Sequence, residues 1–98
     1  MGKLEKLFTS VKNNPTNVRF KEICKLAEVF GFKYRGGKGS HKVYSQKCIP
    51  EILNFQNVQG MAKPYQVRQF LQIIEEYNLT MKEEWNVLSN KSILQRRR

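Results

Sequence analysis

FKYRGGKGSHKVYSQKCIPEILNFQNV, residues 32–58, is the stretch on which the fold turns. The 3.6-residue apolar period that marks amphipathic helices disappears across it, and short β-prone runs take its place. Phe32 to Arg35, Ser40 to Gln46 and Ile52 to Asn57 read as three strands, joined by a glycine turn at 36–39 and by a loop around Cys48, Ile49 and Pro50. In the third run Leu53 and Phe55 alternate with Asn54 and Gln56, so one face of the sheet belongs to the core and the other is polar. Within the first hairpin, Gly36 to Tyr44 reads GGKGSHKVY: glycines and a serine lead into His41, the only histidine of the chain. Glycine lets backbone approach a ligand closely, because it has no Cβ.

Helical patterning returns on both sides. Upstream, Leu4, Leu7, Phe8 and Val11 form one apolar face that ends at Asn13, Asn14 and Pro15. Asn17 is a suitable N-cap for a second helix from about Val18 to Phe30, with Phe20, Ile23, Cys24, Ala27 and Phe30 along one side. Gly31 then fits the left-handed residue that closes a helix, with Phe32 as its apolar contact. Downstream, Pro64 to about Tyr77 forms a third helix carrying Val67, Phe70, Leu71, Ile74 and Tyr77 on its apolar face. Thr80 and Glu83 make a capping box for a short last helix with Met81, Trp85 and Leu88 on one side. The residues after it, ending in Arg96, Arg97 and Arg98, read as a flexible basic tail.

The expected architecture is α+β: a central α-β-β-β-α unit, helices on one face of a three-stranded antiparallel sheet, an extra N-terminal helix and a short C-terminal one. A single domain over residues 1–89, with its core at 18–78 and the tail at 90–98, suits a chain of 98 residues. The formal net charge of +10 points to a polyanionic partner, nucleic acid before membrane. All eight acids are Glu, so the Asp-rich clusters that hold paired metal ions in many nucleases have no counterpart. Cys24 and Cys48 with one histidine do not make a zinc site. No apolar run is long enough to span a membrane and the N-terminus lacks a signal-peptide core, so a cytoplasmic, cofactor-free protein is expected.

Function is concentrated at two places. His41 lies between Lys38 and Lys42, a proton-transfer group between cations on backbone that can approach an anion. No acid occurs between Glu28 and Glu51, whereas Lys33, Arg35, Lys38, Lys42 and Lys47 do, so the sheet edge around the first hairpin is strongly positive. The second place is the start of the third helix, where Lys63 and Arg68 flank a positive dipole end suited to phosphate. Solvated surface is the competing reading of both. Tyr44 suits either stacking on a base or the core, and Asn54 and Gln56 either base edges or plain solvated strand.

The segment from Phe20 to Tyr77 resembles the HicA family of bacterial and archaeal toxins, small mRNA-cleaving endoribonucleases with a fold like that of double-stranded-RNA-binding domains. The likeness rests on Gly39, Ser40 and His41 followed by Val43 and Tyr44, on Asn54 to Gln56, and on Lys63, Pro64 and the helix VRQFLQIIEEY. It implies that His41 is catalytic, the one residue to which a role carries over, and that a HicB-type antitoxin covers the active face; with RNA as the ligand, the chemistry of the residues themselves puts its contacts at Lys38, Gly39, Ser40, Lys42, Tyr44, Lys63 and Arg68. Ser45 to Cys48 stand where many members have His-Pro, and Lys42 where many have a second histidine, so nothing carries over at those positions. Beside the toxin reading, two others stand: an RNA-binding module that does not cut, and an interaction unit for an acidic protein.

Overall fold

A computed structural model describes residues 2–81. The elements are α1 (Lys3–Asn13), α2 (Phe20–Val29), β1 (Lys33–Gly36), β2 (His41–Gln46), β3 (Ile49–Val58), β4 (Met61–Ala62) and α3 (Pro64–Glu76). Apart from Thr80 and Met81, the expected last helix and the basic tail at 90–98 lie outside the described residues. The strands form one antiparallel sheet in the order β1-β2-β3-β4. The class is α+β as expected, but the sheet has four strands where the sequence predicts three.

The added strand comes from a tight hairpin. Gln59 and Gly60 both have positive φ, 54° and 87°, the backbone pattern of a two-residue turn that matches strand twist. Asn57 Oδ1 accepts the Gly60 N–H at 2.6 Å and fixes that turn. The returning residues then meet the start of α2: Ala62 N–H donates to Val18 O at 2.8 Å, and Phe20 N–H to Gly60 O at 2.9 Å. This pairing holds Val18 and Arg19 against the sheet, so α2 starts at Phe20 with Arg19, rather than Asn17, as its capping residue. Glu22 reaches back to accept the Arg19 N–H at 3.2 Å.

β3 also begins earlier than expected, at Ile49, so Ile49 and Pro50 are strand rather than loop. Pro50 cannot donate a ladder hydrogen bond, but β4 pairs only with Asn57 and Val58, so among the described residues no strand lies beside β3 on that side near Pro50. The end of α2 follows the sequence reading closely. Gly31 has φ 101°, its N–H bonds Glu28 O, and the Phe32 N–H bonds Ala27 O, both at 3.0 Å. α3 ends the same way on Asn78, φ 54°, with the Leu79 N–H on Ile74 O.

α2 and α3 both pack on β3, and α1 packs on α2. Phe70 of α3 is the meeting point of the aromatic core, edge-on to Phe30, Phe32 and Phe55 with ring centroids 5.9, 6.5 and 6.2 Å away. Phe8 of α1 extends this core through Phe30, 4.9 Å away. One face of the sheet is therefore buried under helices, where Tyr44, Ile49, Leu53 and Phe55 point. Ile52 and Asn54 alternate with them and are exposed on the helix-free face. No helix among the described residues is long and apolar enough to cross a membrane.

Candidate nucleic-acid interface

His41 is the first residue of β2 and is exposed. It pairs with Gln56 across β3, while Val43 pairs with Asn54, so all four side chains stand on the helix-free face. His41 Nδ1 lies 3.4 Å from Asn54 Oδ1. In the tautomer that carries its proton on Nδ1, the ring donates to Asn54 and leaves Nε2 as a free base. The turn before it is built from glycine for steric reasons. Gly39 has φ 59° at the tip of a turn closed by the His41 N–H on Lys38 O, 3.0 Å. Gly37 has φ 153°, and a Cβ there would lie 2.9 Å from the His41 carbonyl carbon and closer still to its oxygen. Ser40 O in turn accepts the Asn57 N–H at 2.8 Å, tying the turn to β3. The glycine stretch thus serves to seat His41 against the sheet.

Residues expected to act together are separated by strand alternation. Lys42 is on the helix side of β2, opposite Phe55, with its ammonium 5.8 Å from the Phe20 ring centroid and 5.7 Å from that of Tyr34. It is held by aromatic faces and does not stand beside His41, contrary to the expectation that it flanks the site. Tyr44 is also on the helix side and is 1% exposed, so its ring is core and cannot stack on a base. Its neighbours are Tyr34 and Phe55, at centroid distances of 5.7 and 5.9 Å. Lys38 remains exposed at the head of the glycine turn, with Gly39 and Ser40 exposed beside it.

Burial pushes the Tyr44 hydroxyl well above its ordinary pKa, helped by its hydrogen bonds to Cys24 and Glu28. Burial also raises the Cys24 thiol. An unfolded tyrosine ionises near pH 10. Above that pH the unfolded chain binds fewer protons at this position than the folded one, so stability falls as pH rises. Urea unfolding of the parent and Tyr44→Phe at pH 7 and about pH 11 is expected to show a smaller alkaline loss in the variant. Equal losses would mean that Tyr44 ionises without strain.

The start of α3 lies near the same end of the sheet. Gln66, 6% exposed, turns inward and accepts the Gln56 N–H through Oε1 at 2.8 Å, supplying the partner that β4 is too short to give. Gln66 is therefore structural. The Gln66 and Val67 N–H groups both bond Lys63 O, and Pro64 has none, so the first turn offers an anion little beyond the Tyr65 N–H. Lys63 is half-buried at the N-cap and Arg68 is exposed. The phosphate seat there is weaker than the sequence suggests.

Two features of the helix-free face go beyond the sequence expectations. One is the Asn54 contact to His41. The other is Arg35, which lies at a bulge between β1 and β2 and donates from Nε to Ser45 Oγ at 2.8 Å. The only acid within the described strands, Glu51, accepts the Tyr77 hydroxyl at 2.8 Å, and Glu28 accepts that of Tyr44 at 3.4 Å. Both of those contacts are on the helix side, so among the described residues the helix-free face carries no acid. Among the described residues, no three His, Cys, Asp or Glu side chains gather where they could hold a metal ion. Searches of protein-family models, curated proteins and solved structures return no match to this chain.

Proposed function

We propose that the chain is a metal-independent endoribonuclease of the HicA toxin type, with His41 as its catalytic base. The observation that carries this reading is the pairing of the lone histidine with Asn54 on a sheet face that, among the described residues, holds no acid and no helix. A strand of RNA laid on that face meets an imidazole held at Nδ1, the amides of Asn54 and Gln56 for base edges, and Lys38 for phosphate. His41 Nε2 takes the 2′-OH proton, the 2′ oxygen attacks its own phosphorus, and the 5′ oxygen leaves with a proton from water or lysine. Lys38 offsets the charge of the phosphorane; Lys42, on the other face, does not. The α2-β1-β2-β3-β4-α3 order with helices on one face supports this reading, with one strand more than the three expected. As in such toxins, a HicB-type antitoxin would cover the face, and the setting would be cytoplasmic.

With a single histidine and no Asp in the chain, the nucleophile proposed is the RNA itself rather than metal-bound water. Cleavage is therefore expected to persist in EDTA, to fail on RNA methylated at the scissile 2′-oxygen, and to leave 2′,3′-cyclic phosphate and 5′-hydroxyl ends. Mass spectrometry of the fragments checks this, and 5′-phosphate ends would refute the mechanism. A passive RNA-binding module is the second reading. It is favoured by the displacement of Lys42 and Tyr44 to the helix side, which among the described residues leaves His41 the one proton-transfer group beside Lys38. Binding without any cut products in the same assay selects it.

A further inference from the structure

At the end of the sheet away from His41, Lys33, Arg35 and Lys47 converge on a cleft of about 450 Å³ whose remaining lining is Gly31, Gln46 and Cys48. We propose that this cleft is a second phosphate subsite for single-stranded RNA. It holds the chain several nucleotides from the bond addressed by His41, and the inference rests on the RNA reading above. Lys33 pairs with Ser45 near the end of β2, and Lys47 begins the turn that follows. From His41 to Lys47 the strand extends about 20 Å. One RNA chain crossing the helix-free face would therefore meet His41 at one end and the cleft at the other.

The cleft has organised donors. Arg35 is held by its Nε bond to Ser45 Oγ, so its terminal guanidinium nitrogens are placed for the forked hydrogen bonding that phosphate oxygens accept. Lys33 and Lys47 are exposed. The adjoining end of α2 presents few competing acceptors. The carbonyls of Leu26, Ala27 and Glu28 take the closing N–H groups of that helix, and Phe30 O accepts Gln46 Nε2 at 3.2 Å. The acids that bound this stretch of sequence, Glu28 and Glu51, are engaged by tyrosine hydroxyls on the helix side. An acidic peptide would meet the same charges, but Asn54 and Gln56 lie along the same strand pair toward His41, opposite Val43 and His41, so a chain that follows β2 from the cleft meets amides suited to base edges, which favours a ligand with bases as well as phosphates.

The cleft contains its own reporter. The chain has two cysteines, of which Cys24 is buried and Cys48 exposed, so iodoacetamide reads the cleft with no substitution introduced. The probe is 2′-O-methyl RNA, which the proposed chemistry does not cut, in lengths of about three and about nine nucleotides. At ten times its Kd, the longer oligomer is expected to slow Cys48 alkylation about tenfold, and the shorter one to leave it unchanged. Lys33→Gln, Arg35→Gln and Lys47→Gln together are expected to weaken the longer oligomer by about tenfold and to lower its salt slope by about two units, leaving the shorter one unaffected. Fluorescence anisotropy showing tight binding of the longer oligomer with Cys48 still fully reactive overturns the subsite and leaves the RNA reading intact. Equal protection by polyglutamate assigns the cleft to an acidic protein and overturns it too. No binding of either oligomer removes the RNA reading and the subsite together.

Discussion

His41→Ala is expected to lower RNA cleavage by about 10²- to 10⁴-fold, the range that a positioned acid or base contributes. Folding stability should change by no more than about 1 kcal/mol. The two expectations are separable because of where the side chain sits. His41 is exposed on the helix-free face, and the contact its ring makes there is the 3.4 Å approach to Asn54 Oδ1. The hydrogen bonds that secure its neighbourhood are made by backbone, His41 N–H to Lys38 O and Asn57 N–H to Ser40 O, and alanine retains them. Truncating the side chain therefore removes chemistry without opening the core. Cleavage by the folded variant at the parental rate would remove His41 from the mechanism, and with it a nuclease that works through a histidine base. Loss of folding would show that the exposed ring carries structural weight that its surroundings do not explain.

The parts of the fold legible in the sequence are those governed by local chemistry. Gly31 with Phe32 announces a helix end because only a residue tolerant of positive φ can occupy that position, and the end forms as expected. Alternation of Leu53 and Phe55 with Asn54 identifies the core face of β3 for the same kind of reason. What the sequence conceals depends on partners distant along the chain. β4 is two residues long, and its turn is Gln-Gly rather than the Asn-Gly that usually marks such hairpins. The late start of α2 follows from that strand pairing with residues 18–20, which no helix signal encodes.

At the site, His41 and Lys42 are neighbours in sequence, and proximity along the chain suggests that they act together. Once His41 is a strand residue, adjacent side chains must point to opposite faces, and that alone sends Lys42 toward Phe20 and Tyr44 into the core. The Arg35 contact to Ser45 depends on a bulge, and the inward turn of Gln66 depends on where β4 stops. Neither has a one-dimensional signature.

Gly37→Ala is expected to be the most damaging small substitution in the first hairpin, costing about 3 kcal/mol and displacing His41. Two effects act together. A φ of 153° is outside the range that a residue with a Cβ adopts comfortably, which alone costs about 1–3 kcal/mol. The added methyl would also collide with the His41 carbonyl, and the obstacle is backbone rather than the movable end of a side chain. That backbone has little room to retreat, because the His41 N–H is bonded to Lys38 O, and the preceding carbonyl, Ser40 O, is bonded to the Asn57 N–H. Relief must come by breaking the turn or by lifting the start of β2 from β3. Gly39→Ala is the control: its φ of 59° is also left-handed, but nothing lies within 4 Å of the new methyl, so about 1–2 kcal/mol is expected. Urea unfolding of the two variants gives the comparison, and the single histidine supplies a second readout, since one imidazole resonance reports the site in a proton NMR spectrum. That resonance should move in Gly37→Ala and stay near its parental position in Gly39→Ala. If the nuclease proposal holds, a shift of His41 by about 1 Å lowers cleavage by about 10²-fold. Equal destabilisation by the two alanines, with the imidazole resonance unmoved in both, would mean that Gly37 does not seat His41 and that the glycine run is only a flexible connection.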